Sequence, residues 1–380
     1  MKARKSIVRY GSLLILFALL VGTGVTGVQA SQSGIDACYP AELARAGVGA
    51  SPHGIAINLG AKRIYVANHD SDTLSILDST TYAVIKTVYV GDGPNGVAYN
   101  SKNGYIYVAD RNANKVRVIR ASNYTFVKDI WVGSLPDGIA ANNVSNKIYV
   151  ANYGSGTVSI INGATNTVEK TVTVGSQPAN IAIDTGLNKA FVSLHGSGRI
   201  AAISSSGAVT SIDIFSAGPY GIAVDTVRKL VYVATIDTFR IAVVNASTNA
   251  FLGWAEIRRM PNGEPAPLRM VAVNASIGTS GHVFATTSSG DGGWNKILIF
   301  SKGWPEFFSR AYAIDAYVPQ EGILIEGINK RLFVTARAGN RLIVVKDGEP
   351  ICPTNFANEG FKVTVFVANP DGSFSQVAEH

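Results

Sequence analysis

Two histidines and two carboxylates in this chain could together hold a metal ion. His53, Asp137, His195 and Glu321 supply imidazole and carboxylate groups, a combination that suits several divalent cations. A water molecule bound to such an ion becomes a nucleophile near neutral pH, which would allow attack on a small lactone or sugar-like ligand. The competing interpretation is structural, because Asn and Asp are favoured in turns, where the side chain bonds to its own backbone and needs no ligand.

These four residues belong to a wider set of polar and aromatic side chains in the turns between short apolar segments. The full set is His53, His69, Asn95, Asp137, Asn180, His195, Tyr220, Arg269, Trp294, Glu321 and Arg337. Turns carry binding and catalytic residues more often than the elements that they connect. We expect the set to line one ligand-binding face, on condition that the fold brings the turns together.

A sequence repeat positions these turns. Segments such as Ile64-Tyr65-Val66-Ala67-Asn68 recur seven times, and their aromatic residue stands at positions 65, 107, 149, 191, 232, 284 and 333. A second marker agrees with the first, because prolines at positions 52, 94, 136, 178, 219, 267 and 319 each precede an apolar strand. Two independent markers therefore define the same seven units.

Each unit contains four short apolar or alternating runs, separated by Gly, Asn, Asp and Ser, and none has helical periodicity. Four strands in roughly 40 to 45 residues is the spacing of propeller blades. The sequence predicts an all-β fold, a seven-bladed β-propeller of four-stranded antiparallel blades, over residues 31–352. An open solenoid is the alternative, and it would need capping ends.

The two ends of the repeat predict how the ring closes. Residues 43–52 align with the fourth strand and exit turn of a unit, whereas the last unit supplies only three strands, ending at Arg341–Lys346. The N-terminal strand is expected to complete that unit, which leaves no unpaired terminal blade. Cys38 and Cys352 flank this junction, and a disulfide bond between them would contribute about 4 kcal/mol. Two free buried thiols are the alternative.

Residues 1–30 have the features of a signal peptide. Four Lys and Arg residues precede the apolar run Leu13–Val21, and small residues lead to Ala30, where cleavage is expected. We therefore expect export to a periplasmic, extracellular or cell-surface location. Beyond residue 30 the chain has 29 Lys and Arg against 26 Asp and Glu, an excess too small to favour a nucleic-acid partner.

The C-terminal tail, residues 353–380, falls outside the repeat. Phe361–Val367 and Phe374–Val377 alternate in polarity and are joined by Asn-Pro-Asp-Gly, which predicts a hairpin. Three placements are open. The hairpin could pack on the flank of the ring, compete with the N-terminal strand for the closing position, or begin a fragment of another domain.

The Tyr-Val-Ala-Asn cores at residues 65–68 and 149–152, together with the Pro-x-Gly-Ile-Ala strands, resemble the YVTN, or YncE-like, β-propeller repeat family over residues 41–347. The resemblance implies a seven-bladed ring in an exported protein, as in bacterial periplasmic and archaeal surface-layer members. It assigns no activity, since fold alone does not fix function. Lactonases and the streptogramin lyase form neighbouring families, but no run of their metal-site motifs matches here.

Two functions follow from these observations. The first is a non-catalytic binding or surface scaffold protein whose loop face recognises a protein, a glycan or another envelope component. The lack of a Walker loop and of a Gly-x-Ser-x-Gly elbow supports it. The second is a lactonase or lyase that uses a divalent metal on a small molecule at the axial mouth. Insertions at residues 254–267 and 288–294 could form a lid, or be inert.

Overall fold

The described part of the chain is built from β-strands. The computed structural model describes residues 42–259, 268–274, 282–287, 296–300, 311–315, 320–326, 331–337, 339–346, 361–369, 371 and 373–379. The predicted signal peptide, both cysteines and Trp294 lie outside these residues, as does the side chain of Glu321. Within these residues no helix is long and apolar enough to cross a membrane.

The described strands form seven antiparallel sheets, and the first four follow the chain in order. Sheet 1 contains β2 (Pro52–Asn58), β3 (Arg63–Asn68), β4 (Thr73–Asp78) and β5 (Val84–Tyr89). Sheet 2 contains β6 (Pro94–Asn100), β7 (Tyr105–Asp110), β8 (Lys115–Arg120) and β9 (Phe126–Trp131). Sheet 3 contains β10 (Pro136–Asn142), β11 (Lys147–Asn152), β12 (Thr157–Asn162) and β13 (Thr167–Thr173). Sheet 4 contains β14 (Pro178–Asp184), β15 (Lys189–Leu194), β16 (Arg199–Ile203) and β17 (Val209–Asp213).

The other three sheets include two that recruit strands from the chain ends. Sheet 5 contains β18 (Pro219–Asp225), β19 (Leu230–Thr235), β20 (Arg240–Asn245) and β21 (Phe251–Arg259), followed by β29 (Phe361–Ala368) and β30 (Phe374–Glu379). Sheet 6 contains β22 (Leu268–Asn274), β23 (His282–Thr287), β24 (Lys296–Phe300) and β25 (Ala311–Asp315). Sheet 7 contains β26 (Gln320–Glu326), β27 (Arg331–Ala336), β28 (Arg341–Lys346) and the N-terminal strand β1 (Glu42–Gly47). The predicted all-β propeller of four-stranded antiparallel blades is confirmed.

The aromatic residue of each repeat lies in the second strand of its sheet and anchors the core. The largest fully buried side chains are Tyr65, Tyr107, Tyr149, Phe191, Tyr232, Phe284 and Phe333, which are the seven positions of the first sequence marker. A buried tyrosine needs a partner for its hydroxyl. Tyr107 donates to Asn166 Oδ1 at 2.6 Å and accepts from Asn103 Nδ2 at 2.7 Å. Burial raises the pKa of Tyr107 to about 12.

Ring closure follows the predicted route. The innermost strands contact one another in the cyclic order β2, β6, β10, β14, β18, β22, β26 and back to β2. Strand β1 pairs with β28, with Gly47 opposite Arg341 and Ala46 opposite Leu342. The free edge of β28 is thereby covered, as an exposed edge strand requires.

Glycine in the first strand lets adjacent sheets approach closely at the axis. A Cβ atom on Gly54 would lie 2.5 Å from the carbonyl oxygen of Asn95 in the next sheet, and one on Gly138 would lie 2.4 Å from that of Ala179. The glycine of the Pro-x-Gly motif is thus explained by packing, because any larger residue would overlap backbone atoms of the neighbouring strand.

Polar pairs join adjacent sheets where the first strands end. Asn100 in sheet 2 donates to Asn146 in sheet 3 at 2.7 Å, and Asn142 in sheet 3 donates to Asn188 in sheet 4 at 2.8 Å. The equivalent residues between sheets 4 and 5 are charged. Asp184, whose side chain is fully buried, lies 3.0 Å from Lys229 Nζ. The same place in the repeat therefore holds either an amide pair or an ion pair.

The C-terminal hairpin packs on the flank of the ring. Strands β29 and β30 form the predicted hairpin, and β29 pairs with β21, so that sheet 5 has six strands. The ring of Phe374 lies 4.3 Å from that of Trp254 and 5.7 Å from that of Phe215. The tail therefore extends one sheet and does not compete with β1.

Candidate functional site

The first strand of every sheet is irregular at the residue that the sequence analysis selected. In sheet 1 the pairing of β2 with β3 shifts register between Pro52 and Ile55, and the same shift occurs between Pro94 and Val97 in sheet 2. A bulge re-aims the side chains within it. Local backbone geometry therefore sets apart the residue after the proline, which is His53 in the first sheet.

In sheets 1 to 5 the residue after the second strand is fixed by a repeated backbone hydrogen bond. The amide of His69 donates to Ser51 O at 2.9 Å, and the amide of His195 donates to Gln177 O at 2.9 Å. The carbonyl in each case belongs to the residue that precedes the motif proline. The turn after the second strand is thus held beside the turn before the first strand, as predicted.

One side of the resulting face is a polar network. The rings of His53 and His69 lie 5.2 Å apart, and the side chain of Asn95 lies beside His53. Asn95 also donates to the carboxylate of Asp137, which is buried and lies 2.9 Å from Arg111 Nη1. The network crosses from sheet 1 to sheet 3 without a break.

Aromatic and cationic groups continue the series. The guanidinium of Arg111 lies 5.1 Å from the ring centroid of Tyr153, whose ring is 6.4 Å from that of His195. His195 meets Tyr220 edge to face at 5.9 Å, and Arg269 lies 5.0 Å above Tyr220. We call the whole series the axial rim, consisting of His69, His53, Asn95, Asp137, Arg111, Tyr153, His195, Tyr220 and Arg269.

His53 is held in its neutral form. Burial is the main reason that its pKa falls from 6.5 to about 3, and the nearby charges of His69, Arg337 and Arg269 lower it further. The neighbouring side chain of Asn95 raises the pKa of His53, against these effects. Within the described residues, His53 Nε2 and His195 Nδ1 are buried without a hydrogen-bond partner. Buried polar atoms of this kind call for an explanation, and a ligand group supplies one.

The lowered pKa predicts an acid-sensitive fold. Between pH 6.5 and about 3 the unfolded chain binds a proton at His53 and the folded chain does not, so the free energy of unfolding falls as the pH falls. The slope from this residue is about 1.4 kcal/mol for each pH unit below 6.5. Urea unfolding at pH 7, 6 and 5 measures it. The variant His53→Gln should flatten the dependence, and parallel curves for both proteins would contradict the assignment.

The proposed metal ligands do not converge in the described part of the structure. No three His, Cys, Asp or Glu side chains there lie close enough together to hold a metal ion. His53 contacts His69 and Asn95, Asp137 pairs with Arg111, and His195 packs against two tyrosines. The donor set His53, Asp137 and His195 therefore does not fit a single metal ion.

Asn180 occupies a place that differs from the expectation, whereas Arg337 follows its second strand as expected. The register of β14 places Ala179 where the other sheets have His53 or its equivalents, so Asn180 takes the position of the glycine. Its amide donates to Ser193 Oγ at 3.0 Å. Arg337 lies beside the rim, where its Nε donates to Ser51 Oγ at 2.8 Å and its charge lowers the pKa of His53.

The sequence places Arg111 and Tyr153 in turns on this face, but they are not among the candidate ligand-binding residues chosen from it. Together with His69 and His195 they stand at positions 69, 111, 153 and 195, each directly after a second strand and 42 residues apart. Their spacing was a usable signal, because the turn residue just before each of them, such as Asn68 or Asn152, has a structural role. Asn152 donates to Thr157 and Ser159 within its own sheet.

Comparison with known proteins agrees with the geometry. Residues 92–119 match the NHL repeat, and no curated protein matches the sequence. Virginiamycin B lyase from Staphylococcus aureus superposes with a TM-score of 0.65 and 16% identity, covering 80% of this chain and 98% of that chain. A streptogramin B lyase superposes with a TM-score of 0.63 and 15% identity, covering 78% and 94%. The repeat match and these structural likenesses show that the chain is a β-propeller built from sequence repeats.

Proposed function

We propose that this chain is an exported, seven-bladed propeller of the YVTN type that binds an anionic group of a cell-envelope component at the axial rim. Export is supported by the basic residues and the apolar run that open the sequence. The blade number is supported by seven sheets whose inner strands contact in a closed cycle. The observation that carries the binding role is the continuous series from Arg111 to Arg269.

The chemistry of that series favours a planar anion. The guanidinium groups of Arg111 and Arg269 lie 5.1 and 5.0 Å from the ring centroids of Tyr153 and Tyr220, and Arg111 also pairs with Asp137. Guanidinium groups bind carboxylate and phosphate by paired hydrogen bonds, which are stronger than neutral ones. The unpartnered Nδ1 of His195 lies between the two tyrosines and adds a further polar contact.

Calorimetric titration tests this proposal. Glucuronate, N-acetylneuraminate and glucose 6-phosphate serve as anionic probes, with glucose as the neutral comparison. We expect at least one anionic probe to bind, and Arg269→Met to weaken its binding about tenfold or more. Arg120→Met removes a guanidinium from sheet 2 and is the matched control, since Arg120 is exposed, lies over the ring of Tyr105, and stands at the end of the strand pair away from Arg111. Equal binding by both variants, or no binding of any anionic probe, would contradict the proposal.

A lyase acting on a cyclic ester is the second candidate. It is favoured by a structural neighbour named virginiamycin B lyase, of which 98% is covered, and by two imidazoles on the rim. Ring opening of virginiamycin B by elimination leaves the mass unchanged, whereas hydrolysis adds one water. Mass spectrometry combined with chromatography therefore separates the two reactions. If the parent protein forms an opened product and His195→Ala does not, the function of the rim is catalysis and not binding alone.

A further inference from the structure

A second concave site lies on the flank of the ring, on different strands from the axial rim. A cavity of about 290 Å³ opens between the outer strand of sheet 1 and the outer strands of sheet 2. It is lined by Val88, Tyr89, Arg117, Ile119, Tyr124 and Phe126. The volume is close to the lower limit for sites that hold one small ligand or one unit of a polymer.

The cavity presents aromatic faces to solvent. Tyr89 is 67% exposed and Phe126 is 60% exposed, which is unusual for rings that also line a cavity. The guanidinium of Arg117 lies between them, 5.7 Å from the centroid of Tyr89 and 5.2 Å from that of Phe126. Exposed apolar surface grouped in a concave site marks a binding site more often than scattered exposed residues do.

Most of the charge near this cavity is balanced within the protein. Asp129 accepts from Arg117 Nε at 3.0 Å and from Arg117 Nη2 at 3.1 Å, and Lys115 Nζ lies 3.0 Å from the same carboxylate. Lys86 Nζ lies 5.6 Å above the ring of Tyr124, and Lys86 forms no ion pair with any described residue. Lys115 Nζ also lies 3.6 Å from a carboxylate oxygen of Asp110. Arg117 and Lys115 therefore each have an acidic partner, and Lys86 is the cation left to meet a ligand.

This balance favours a sugar over a nucleic acid. A nucleic acid brings one negative charge for each nucleotide, and its sites contain several cations that track the backbone. A pyranose ring has an apolar face of C–H groups that packs on an aromatic ring, while its hydroxyl groups bond to charged side chains at the edge. Two aromatic rings that flank a fixed Arg–Asp pair therefore suit a pyranose better than a nucleic acid.

We propose that the flank cavity binds a pyranose unit of a polysaccharide, stacked on Tyr89 and Phe126. The proposal does not depend on the axial rim, because the two sites share no residue. Both aromatic side chains point largely into solvent, so replacing them does not disturb the buried core between the sheets. The site can therefore be removed without unfolding the protein.

Affinity electrophoresis of the full chain tests the site. Native gels that contain xylan, laminarin or polygalacturonate should retard the protein, and the double variant Tyr89→Ala/Phe126→Ala should reduce the retardation at least tenfold with an unchanged melting temperature. Trp131→Ala is the matched control, because Trp131 is 72% exposed on the same outer strand as Phe126 and does not line the cavity. It should migrate as the parent does.

Three results would overturn the proposal. The first is the absence of retardation by every polysaccharide. The second is equal retardation of the parent and the double variant, which would place glycan binding elsewhere. The third is binding of a labelled oligothymidylate by the parent but not by the double variant, when no glycan retards the parent. That result would assign the cavity to single-stranded nucleic acid.

Discussion

Replacing Gly54 with alanine is expected to lower the free energy of unfolding by about 3 kcal/mol, and the melting temperature by about 6 °C. The added Cβ would lie 2.5 Å from Asn95 O, 2.8 Å from Gly96 Cα and 2.8 Å from Val97 N. All three atoms belong to the backbone of the next first strand, so no side-chain rotation relieves the overlap. The two innermost strands must move apart, and the ring transmits that shift to the other sheets.

Gly60→Ala is the matched control for this substitution. The nearest atom to its Cβ would be Asn58 Oδ1 at 3.6 Å, an ordinary contact. Alanine should leave stability unchanged or raise it slightly, because it restricts the unfolded chain. Urea unfolding of both variants decides the question. Equal midpoints would show that close approach at the axis is not what requires glycine there.

Replacing Lys229 with methionine is expected to cost about 3 kcal/mol, because it leaves the carboxylate of Asp184 buried without its cation. Both carboxylate oxygens lie 3.0 Å from Lys229 Nζ, and the remaining partner of Oδ1 is the amide of Leu187 at 2.9 Å. The side chain of Lys229 is about one-third exposed, which places the cost at the lower end of values for broken buried pairs.

The neighbouring sheets supply the control for this experiment. The double variant Asp184→Asn/Lys229→Asn copies the pair that Asn142 and Asn188 form one sheet earlier. Position 229 has a φ of 57°, which asparagine tolerates well. We expect the double variant to recover most of the loss in chemical unfolding. A double variant no more stable than Lys229→Met would show that the cost comes from packing of the lysine stem.

The fold could be predicted because two kinds of residue are repeated for physical reasons. The aromatic residue in each second strand is fully buried, as Tyr65 and Phe284 show. The number of residues between successive aromatic residues therefore gives the number of residues in one sheet with its turns. The proline and glycine of the first strand report the close approach at the axis. Closure by β1 followed from counting strands at the two ends.

The candidate site was only partly predictable. His53, Asp137 and Tyr220 were found because they replace one another at a single repeat position, and contacts between sheets link them. Asn180 was misplaced by one residue, since β14 has no glycine to mark the register. Arg111 and Tyr153 were placed on the face but not chosen as binding candidates, because a turn residue that bonds inside its own sheet and one that faces the axis are adjacent in sequence.

The side on which the C-terminal hairpin docks could not be predicted. Its alternation predicts two strands but not which sheet accepts them, since several outer strands have a similar pattern. The choice depends on three-dimensional contacts, including the tilted contact of the Phe374 ring with that of Trp254 and its edge-to-face contact with that of Phe251. Phe374 is more than 100 positions from both Trp254 and Phe251, and no local sequence pattern links it to them.

The pairing of β1 with β28 also has a consequence for how the chain is made. Gly47 pairs with Arg341, 294 positions later in the sequence. Strand β1 is therefore synthesised long before β28, the strand with which it pairs. Contacts between residues so distant in sequence form slowly, and the intermediate meanwhile exposes an unpaired strand that aggregates readily. Synthesis that stops anywhere before residue 341 leaves β1 without a partner strand. The ring can therefore close only after the full repeat array has been synthesised.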